Sequence, residues 1–329
     1  MLVVRRVSII IPTFNRKEVL VKAIRAHLAQ SAIDEIREMF VVDDGSTDGT
    51  DRAVSLLAAE APFALRRLYQ ANRGQAAARN LGISQATGEI ILFADDDIIP
   101  AVDLLAEHLR WHDRHSGPRV AVLGFVDWSP EVRPTPFMRW LGLDGPLFAY
   151  AHFAGKTEVD FRAFYTCNLS LKTALLRATG AFDEDFEGYG FEDAELGYRL
   201  QKNGMRLLYN RAAVAYHYKR VTFADACRRA QQVTRALRIL EQKEAGKSLL
   251  ELEARDGKRA RPSRFPQRWS ASVPRPLRKL VLTPFKLLID TQFPLPWYVY
   301  RRLYADATSN IARPKPSEYE ASGSSAIPR

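Results

Sequence analysis

The chain has 329 residues, 47% hydrophobic and 26% charged, and a formal net charge of +10. This is ordinary for a soluble globular protein that can bury a sizeable core, as one large domain with an extension or as two small ones. Its two cysteines, Cys167 and Cys227, exclude a disulfide framework or a cysteine-rich zinc site and fit a reducing compartment.

In chain order, Met1-Leu-Val-Val-Arg-Arg leads straight into the apolar run 7–11, without the long apolar stretch of a signal peptide. No run approaches the roughly 18 to 20 residues that span a bilayer, so the expected location is cytoplasmic. Apolar runs recur at 39–42, 90–94 and 120–123, each bounded by turn residues or charge, as in strands buried on both faces. Between them, 17–30 puts Val21, Ile24 and Leu28 on one helical face, while 51–60 and 76–86 are rich in alanine and leucine. Ile98-Ile-Pro-Ala leads into a helix over Val102–His112. This alternation predicts an α/β fold, a mixed but mainly parallel sheet sandwiched by helices. From about residue 160, segments 163–171 and 206–218 read as strands of a mixed or antiparallel edge, flanking a helix over 193–203.

After residue 221 the character shifts. Thr222-x-x-Asp225 reads as a capping box, and Phe223, Ala226, Cys227, Ala230, Val233, Leu237 and Leu240 follow at helical spacing. Lys258 to Lys279 holds eight basic residues and nothing acidic, a run that attracts anionic surfaces or is simply a solvated tail. If helical, 280–289 would place Lys279, Thr283, Lys286 and Asp290 on a narrow polar stripe. Phe293, Trp297, Tyr298 and Tyr300 then stand beside Arg301 and Arg302, as at a bilayer interface. Packing of this segment on the rest of the protein or a second subunit is the alternative. We divide the chain into an α/β domain over 1–220, a helical extension over 221–312 and a disordered tail over 313–329.

The polar clusters fall beyond the carboxyl ends of the strands, where open α/β sheets bind ligands. They are Pro12-Thr13-Phe14-Asn15, Asp43-Asp44-Gly-Ser-Thr-Asp48-Gly49 and Asp95-Asp96-Asp97. Three adjacent carboxylates repel one another unless a cation offsets them, and hard oxygen ligands suit Mg²⁺ or Mn²⁺ shared with substrate phosphates. In an extended conformation Asp95 and Asp97 would point to one side. The plainer reading is a helix N-cap with spare acidic residues. Asp44 to Gly49 starts like a calcium loop but has Ser55 where a bidentate Glu is needed, so an EF-hand is rejected. Asp44 is instead read as an acceptor for a nucleotide base. With no glycine-rich phosphate loop after the first strand, a bound diphosphate would rely on a metal and on Arg73 and Arg79.

With Asn72-Arg-Gly-x-x-x-Ala-Arg-Asn80, Gly88-Glu89 and Phe93-Ala-Asp-Asp-Asp97, these segments resemble family 2 glycosyltransferases of the GT-A fold. Gly180 to Arg199 resembles the acceptor-side motif of galactosyltransferases and chondroitin-polymerase-like enzymes, and the similarity spans residue 7 to about 220. The resemblance implies that Thr13 and Phe14 line the base and ribose pocket and that Asp44 binds the base imide, favouring uridine. Arg79 would lie near the nucleotide, with Asp95 and Asp96 on the donor side. Asp97 would be the direct metal ligand, flanked by Asp95 and completed by His217. Asp193 would be the general base and Glu192 an acceptor or sugar contact. Where relatives carry tryptophan and paired glycines, this chain has Gly188-Tyr-Gly-Phe191, which puts acceptor recognition in doubt. Asn168 and Trp128 are further candidate sugar contacts.

The function expected is inverting, Mn²⁺- or Mg²⁺-dependent transfer from a nucleotide-diphosphate sugar, favoured as UDP-linked, to a glycan or lipid-linked hydroxyl. The candidate location is at an anionic membrane surface, with no nucleic-acid partner. The rivals are a nucleotide-sugar pyrophosphorylase, which needs a glycine-rich loop absent here, and a non-catalytic module for acidic polymers.

Overall fold

The computed structural model describes residues 6–186, 188, 190–259 and 287–308. The tail 313–329, almost all of the basic run and most of the segment 280–289 lie outside the described residues.

The first half folds by alternation. The strands β1 (Val7–Thr13), β2 (Ile36–Asp43), β3 (Ala64–Tyr69) and β4 (Ile90–Ala94) alternate with the helices α1 (Lys17–Leu28), α2 (Thr50–Glu60) and α3 (Gly74–Gln85). The apolar runs of β1, β2 and β4 are buried because helices cover the faces they turn outward. β3 escapes a hydrophobicity reading, since Arg66 and Arg67 interrupt it; it lies at the sheet edge, where Arg67 pairs with Asp43 at 2.8 Å.

Then come β5 (Ile98–Pro100), α4 (Leu104–Arg114), β6 (Val120–Trp128), α5 (Pro136–Leu143), β7 (Glu158–Val159), β8 (Asn168–Lys172), α6 (Thr173–Thr179), α7 (Glu192–Lys202) and β9 (Arg206–His217). The expected strand 163–171 is real only from Asn168; a single 3₁₀ turn at Phe161–Ala163, capped by Asp160, replaces its first part. Ile98–Pro100 leads on to the expected helix, which is α4, but is itself more than a lead-in. It forms a short antiparallel strand on β9, with its proline on the terminal strand of the sheet where a missing N–H is tolerated.

The strand order is β3-β2-β1-β4-β8-β6-β9-β5, with β7 on β9. β1 to β4 are mutually parallel, whereas β8 runs antiparallel to both β4 and β6. The order reverses at β1, which pairs with β2 on one side and β4 on the other. The carboxyl ends of β1 and β4 therefore lie side by side, with Thr13 and Asp95–Asp97 at the edge where open α/β sheets bind ligands.

Beyond β9, α8 (Phe223–Glu241) starts at a complete capping box, Thr222 and Asp225 each bonding the other's backbone N–H. α9 (Glu244–Arg259) and α10 (Trp297–Thr308) follow among the described residues. α10 packs on α8 and α5, and Tyr300 is fully buried with its ring 5.9 Å from Phe137 and 6.2 Å from Trp140. Phe293, Trp297 and Tyr298 stay exposed, so the aromatic group divides between the core and the surface. Among the described residues no helix is long and apolar enough to cross a membrane.

Candidate active site

The acidic triplet is a turn, not an extended strand: the Ile98 amide donates to Asp95 O at 3.1 Å, so the three carboxylates point three ways. Asp96 turns back to β1, accepting from Thr13 Oγ1 at 2.8 Å. Asp97 turns to β9, its Oδ2 lying 3.1 Å from His217 Nε2. The pairing of Ile98 with His217 makes that meeting possible, and the Tyr218 amide donating to Asp97 O at 2.7 Å locks it. Asp95 turns to α3, where Arg79 Nη2 donates to it at 2.9 Å.

The compensating cation missed in the sequence is Arg16, at the start of α1. Its Nη1 lies 2.6 Å from Asp96 Oδ1 and its Nη2 2.6 Å from Asp97 Oδ2. A buried carboxylate cluster demands such a partner, and Arg16 directly follows the Pro12–Asn15 cluster, so the signal was present. The electrostatics separate the neighbouring acids. Burial pushes Asp96 up to about 7, with Arg16 opposing and Asp97 adding to the rise. Burial also disfavours charge on Asp97, but His217 and Arg16 outweigh it and hold that carboxyl well below the usual range.

The second acid group is carried by the start of α7. Glu192 is buried, with Oε1 accepting from Gln75 at 2.5 Å and from Arg79 at 3.3 Å, and Oε2 from the Gly190 amide at 3.0 Å. Burial, and next the charge of Asp193, push it up to about 7. Asp193 accepts from the Thr166 amide at 3.0 Å and from its hydroxyl at 2.8 Å. Burial raises its pKa too, with Arg79 and the Thr166 bonds opposing. The two acids differ in access: the Glu192 side chain is 4% exposed and that of Asp193 24%, so Asp193 is the one a substrate can reach.

Arg79 joins the two groups. Its side chain is 2% exposed, and it contacts Asp95 on one side and Glu192 and Asp193, the latter at 3.7 Å, on the other. It acts through these carboxylates rather than by lying open to solvent. Burial opposes its charge, but Asp193, Asp95 and Glu192 keep it raised and protonated.

The residues expected on the donor side are brought to the same edge. Phe14 directly follows β1, which Pro12 and Thr13 end, and its ring is 46% exposed. Asn15, held at φ +51, accepts from the Thr47 amide at 2.8 Å and ties the two nearby loops together. Asp44 accepts from Gln70 at 2.7 Å and from the Arg73 and Gly74 amides at 2.9 Å each, anchoring the start of α3. A carboxylate has about four lone-pair positions, so one is left for a ligand. Arg73 itself lies at the surface, paired with Glu184 at 2.7 Å.

The two acceptor candidates are set differently. Asn168 is 1% exposed and fully used: its Nδ2 donates to the Phe125 and Ala213 carbonyls, and its Oδ1 faces His108 Nε2 at 2.9 Å. The backbone packs so closely there that a Cβ on Gly124 would come within 2.2 Å of that amide nitrogen. Asn168 thus braces β6, β8 and β9 beneath the site and offers nothing to a sugar. Trp128 spends its indole N–H on the Met138 carbonyl at 2.6 Å and stacks on His217 at 5.1 Å. It walls a small cavity with His217, Phe148, Gly142 and Leu143.

Among the described residues no three His, Cys, Asp or Glu side chains close into a metal cage. The donor set nonetheless fits a shared site. Asp97 Oδ2 and His217 Nε2 bring hard oxygen and imidazole nitrogen to one spot, where Arg16 Nη2 supplies the positive charge at 2.6 Å from that oxygen. Mg²⁺- and Mn²⁺-type sites complete their shells with substrate phosphates and water, so two protein ligands suffice.

Residues 8–167 match the family model described as Glycosyl transferase family 2, and residues 150–223 match the N-terminal domain of galactosyltransferase. Residues 8–167 are a glycosyl transferase family 2 segment. Among curated relatives, it is 31% identical over 230 residues to a validoxylamine A glucosyltransferase of Streptomyces hygroscopicus subsp. limoneus, covering 62% of this chain and 49% of that one. It is 27% identical over 278 residues to a chondroitin synthase of Escherichia coli, covering 74% of this chain and 39% of the relative. The chain thus spans about half or less of the length of these two relatives. In three dimensions the chain resembles the mannosyltransferase PcManGT from Pyrobaculum calidifontis, solved with GDP-Man and Mn²⁺. The TM-score is 0.62 at 23% identity, over 93% of this chain and 86% of that one. The UDP complex of S. aureus TarS 1-349 aligns at TM-score 0.54 and 19% identity, over 93% and 90% of the two chains. Both likenesses bear on the fold, which is GT-A.

Proposed function

We propose that this protein is an inverting, metal-dependent glycosyltransferase that moves a sugar from a nucleotide-diphosphate donor to a hydroxyl of a glycan or lipid-linked acceptor. One observation carries the reading: Arg79 clamps the donor-side Asp95 to the acceptor-side Glu192 and Asp193 within one buried network. A binding module has no use for two acid groups coupled this way. A pyrophosphorylase would need a glycine-rich basic loop after β1, where Pro12–Asn15 stands.

In this reading Phe14 and Thr13 seat the nucleoside, and the remaining lone pair of Asp44 meets the base, with uridine preferred. Asp97 and His217 would hold Mn²⁺ or Mg²⁺, which supplies positive charge to the departing diphosphate. Asp193, the accessible acid, takes the proton of the attacking hydroxyl. Burial raises its pKa, which makes it a better base than an exposed aspartate, and Arg79 and the Thr166 bonds oppose that rise. Glu192 supports it by fixing Gln75 and the turn at Gly190. Attack opposite the leaving diphosphate inverts the anomeric carbon. That the neighbouring structures hold GDP-Man in one case and UDP in another supports a nucleotide-sugar donor without choosing the base.

We further place the protein at the cytoplasmic face of an anionic membrane. Exposed Phe293, Trp297 and Tyr298 follow a run of eight basic residues in the chain, a pairing that binds peripherally without a span. Incubation with a panel of UDP- and GDP-sugars and Mn²⁺ tests the chemistry by release of free nucleoside diphosphate. Release from none of them rejects the reading. Flotation with anionic but not neutral vesicles, reversed by salt, tests the location.

A further inference from the structure

His217 ends β9, and the pairing of the strands sets Trp128, the last residue of β6, directly beside it. The Ser129 amide donates to the His217 carbonyl at 3.1 Å and holds that register. The two rings meet, with centroids 5.1 Å apart and planes 25° from parallel. Phe148 approaches the same imidazole edge to face, at 6.4 Å and 68°. The contact of His217 Nε2 with Asp97, at 3.1 Å, fixes one corner of the imidazole and leaves its plane free to turn. The stack on Trp128 fixes the plane.

Trp128 is itself held. Its indole N–H donates to the Met138 carbonyl of α5 at 2.6 Å. α5 can come this close because Gly142, one turn on, has no side chain: a Cβ there would lie 3.1 Å from the indole nitrogen. α5 is in turn gripped by Tyr300 of α10, 5.9 Å from Phe137 and 6.2 Å from Trp140, in a part of the chain beyond both matched family models. An indole with its N–H spent, one face stacked and only 6% exposed has no open surface for a sugar. What it can do is steady the imidazole.

A metal held by few protein ligands depends on how closely each is aimed, to within about 0.5 Å. Residues that orient a ligating histidine from behind typically change metal affinity by about 10- to 100-fold. Arg16 already stands 2.6 Å from the Asp97 oxygen that faces His217, so a cation entering there relies on an imidazole that does not swing away.

We propose that Trp128 is a positioning residue for the metal site: its ring, anchored on α5, holds His217 in the plane from which Nε2 meets a divalent cation beside Asp97. This rests on the metal-dependent donor reading above. Calorimetry tests it, titrating UDP, and in a second series GDP, with and without Mn²⁺. The quantity read is the factor by which Mn²⁺ tightens binding, for whichever nucleotide the wild type prefers. Trp128→Leu should lower that factor about tenfold or more and leave metal-free binding unchanged, while Trp128→Phe, which keeps a ring to stack, should lower it less. His217→Ala should lower it at least as far, and Trp128→Leu combined with His217→Ala should lose nothing more than His217→Ala alone, because Trp128 acts only through the histidine. An unchanged factor in Trp128→Leu, an equal loss with and without Mn²⁺, or losses that add in the double variant each overturn the assignment and leave Trp128 a packing residue. If Mn²⁺ does not tighten binding to the wild type, or His217→Ala leaves the factor intact, the metal reading itself fails and the role of Trp128 falls with it.

Discussion

Replacing Glu192 with glutamine should make the protein more stable at alkaline pH while harming its activity. Glu192 is buried at the start of α7, and its pKa is raised from 4.5 to about 7 by burial and by Asp193. A carboxyl whose folded pKa lies above its unfolded one binds its proton more tightly in the native state. Its contribution to stability is full below about pH 4.5 and is lost as pH rises through 7. A rise of that size corresponds to about 3 kcal/mol at pH 8 and about 1 kcal/mol at pH 5, at roughly 1.4 kcal/mol per unit. Glutamine keeps the shape and carries no charge; with its oxygen kept toward Gln75 and Arg79 its amide N–H₂ faces the Gly190 N–H, a cost that is the same at both pH values. The fair comparison is the difference between variant and wild type at each pH, since Asp96, also raised to about 7, adds a slope that both proteins share. Urea unfolding at pH 5 and pH 8 measures that difference, which should grow by about 2 kcal/mol in favour of the variant. A difference that is flat with pH, or that favours the wild type at pH 8, would refute the claim that Glu192 is held near neutrality by burial.

The remaining expectations concern the metal, the base and the histidines. Asp97→Ala should abolish Mn²⁺-dependent donor turnover while the fold is retained, and excess chelator should do the same to the wild type; full activity in either contradicts the Asp97–His217 site. Asp193→Asn should lower kcat by roughly 10²-fold or more with donor affinity little changed, and product NMR should show an inverted anomeric centre. Collapsed donor affinity with intact chemistry would instead move Asp193 to the donor side. Burial lowers His27 to about 4, and both its ring nitrogens lack partners, so this residue costs stability as pH falls below its unfolded value near 6.5. His27→Leu should therefore stabilise the protein at pH 5 by about 2 kcal/mol and shift its acid unfolding to lower pH, as followed by circular dichroism.

Much of this site is legible in the chain because each cluster sits where a buried strand ends. The runs 7–11, 39–42 and 90–94 are apolar apart from Ser8, and the polar residues after them have no place to go but the carboxyl edge of the sheet. The capping box at Thr222 is equally local, being a matter of four residues. What escapes a linear reading depends on pairing across long separations. Ile98–Pro100 has no strand signal of its own and becomes one only because β9 offers it an edge. Arg66 and Arg67 hide β3 for the same reason. Asn168 has the chemistry of a sugar contact, yet the turn before β8 puts it under the sheet, where His108 and two carbonyls consume it.

Arg16 and Arg79 explain why so acidic a site folds before any ligand arrives. Each guanidinium is shared by carboxylates from different segments, so neither acid group is left bare, and burying each group depends on its own arginine. The compensation is incomplete, since Asp96 and Glu192 both remain near 7 and hold protons with little margin at neutral pH. A cation or a proton entering one end of the network changes the field at the other through Arg79, which touches Asp95 and Asp193 alike. When a divalent cation and diphosphate take up the charge around Asp95 and Asp97, the pull on Arg79 from that side changes, and with it the basicity of Asp193. The wild type should therefore show a kcat pH profile whose acidic limb moves in Arg79→Lys, where charge is kept but the fork that reaches both sides is lost. If that limb stays in place while only KM changes, Arg79 serves donor binding alone, and the two acid groups work independently.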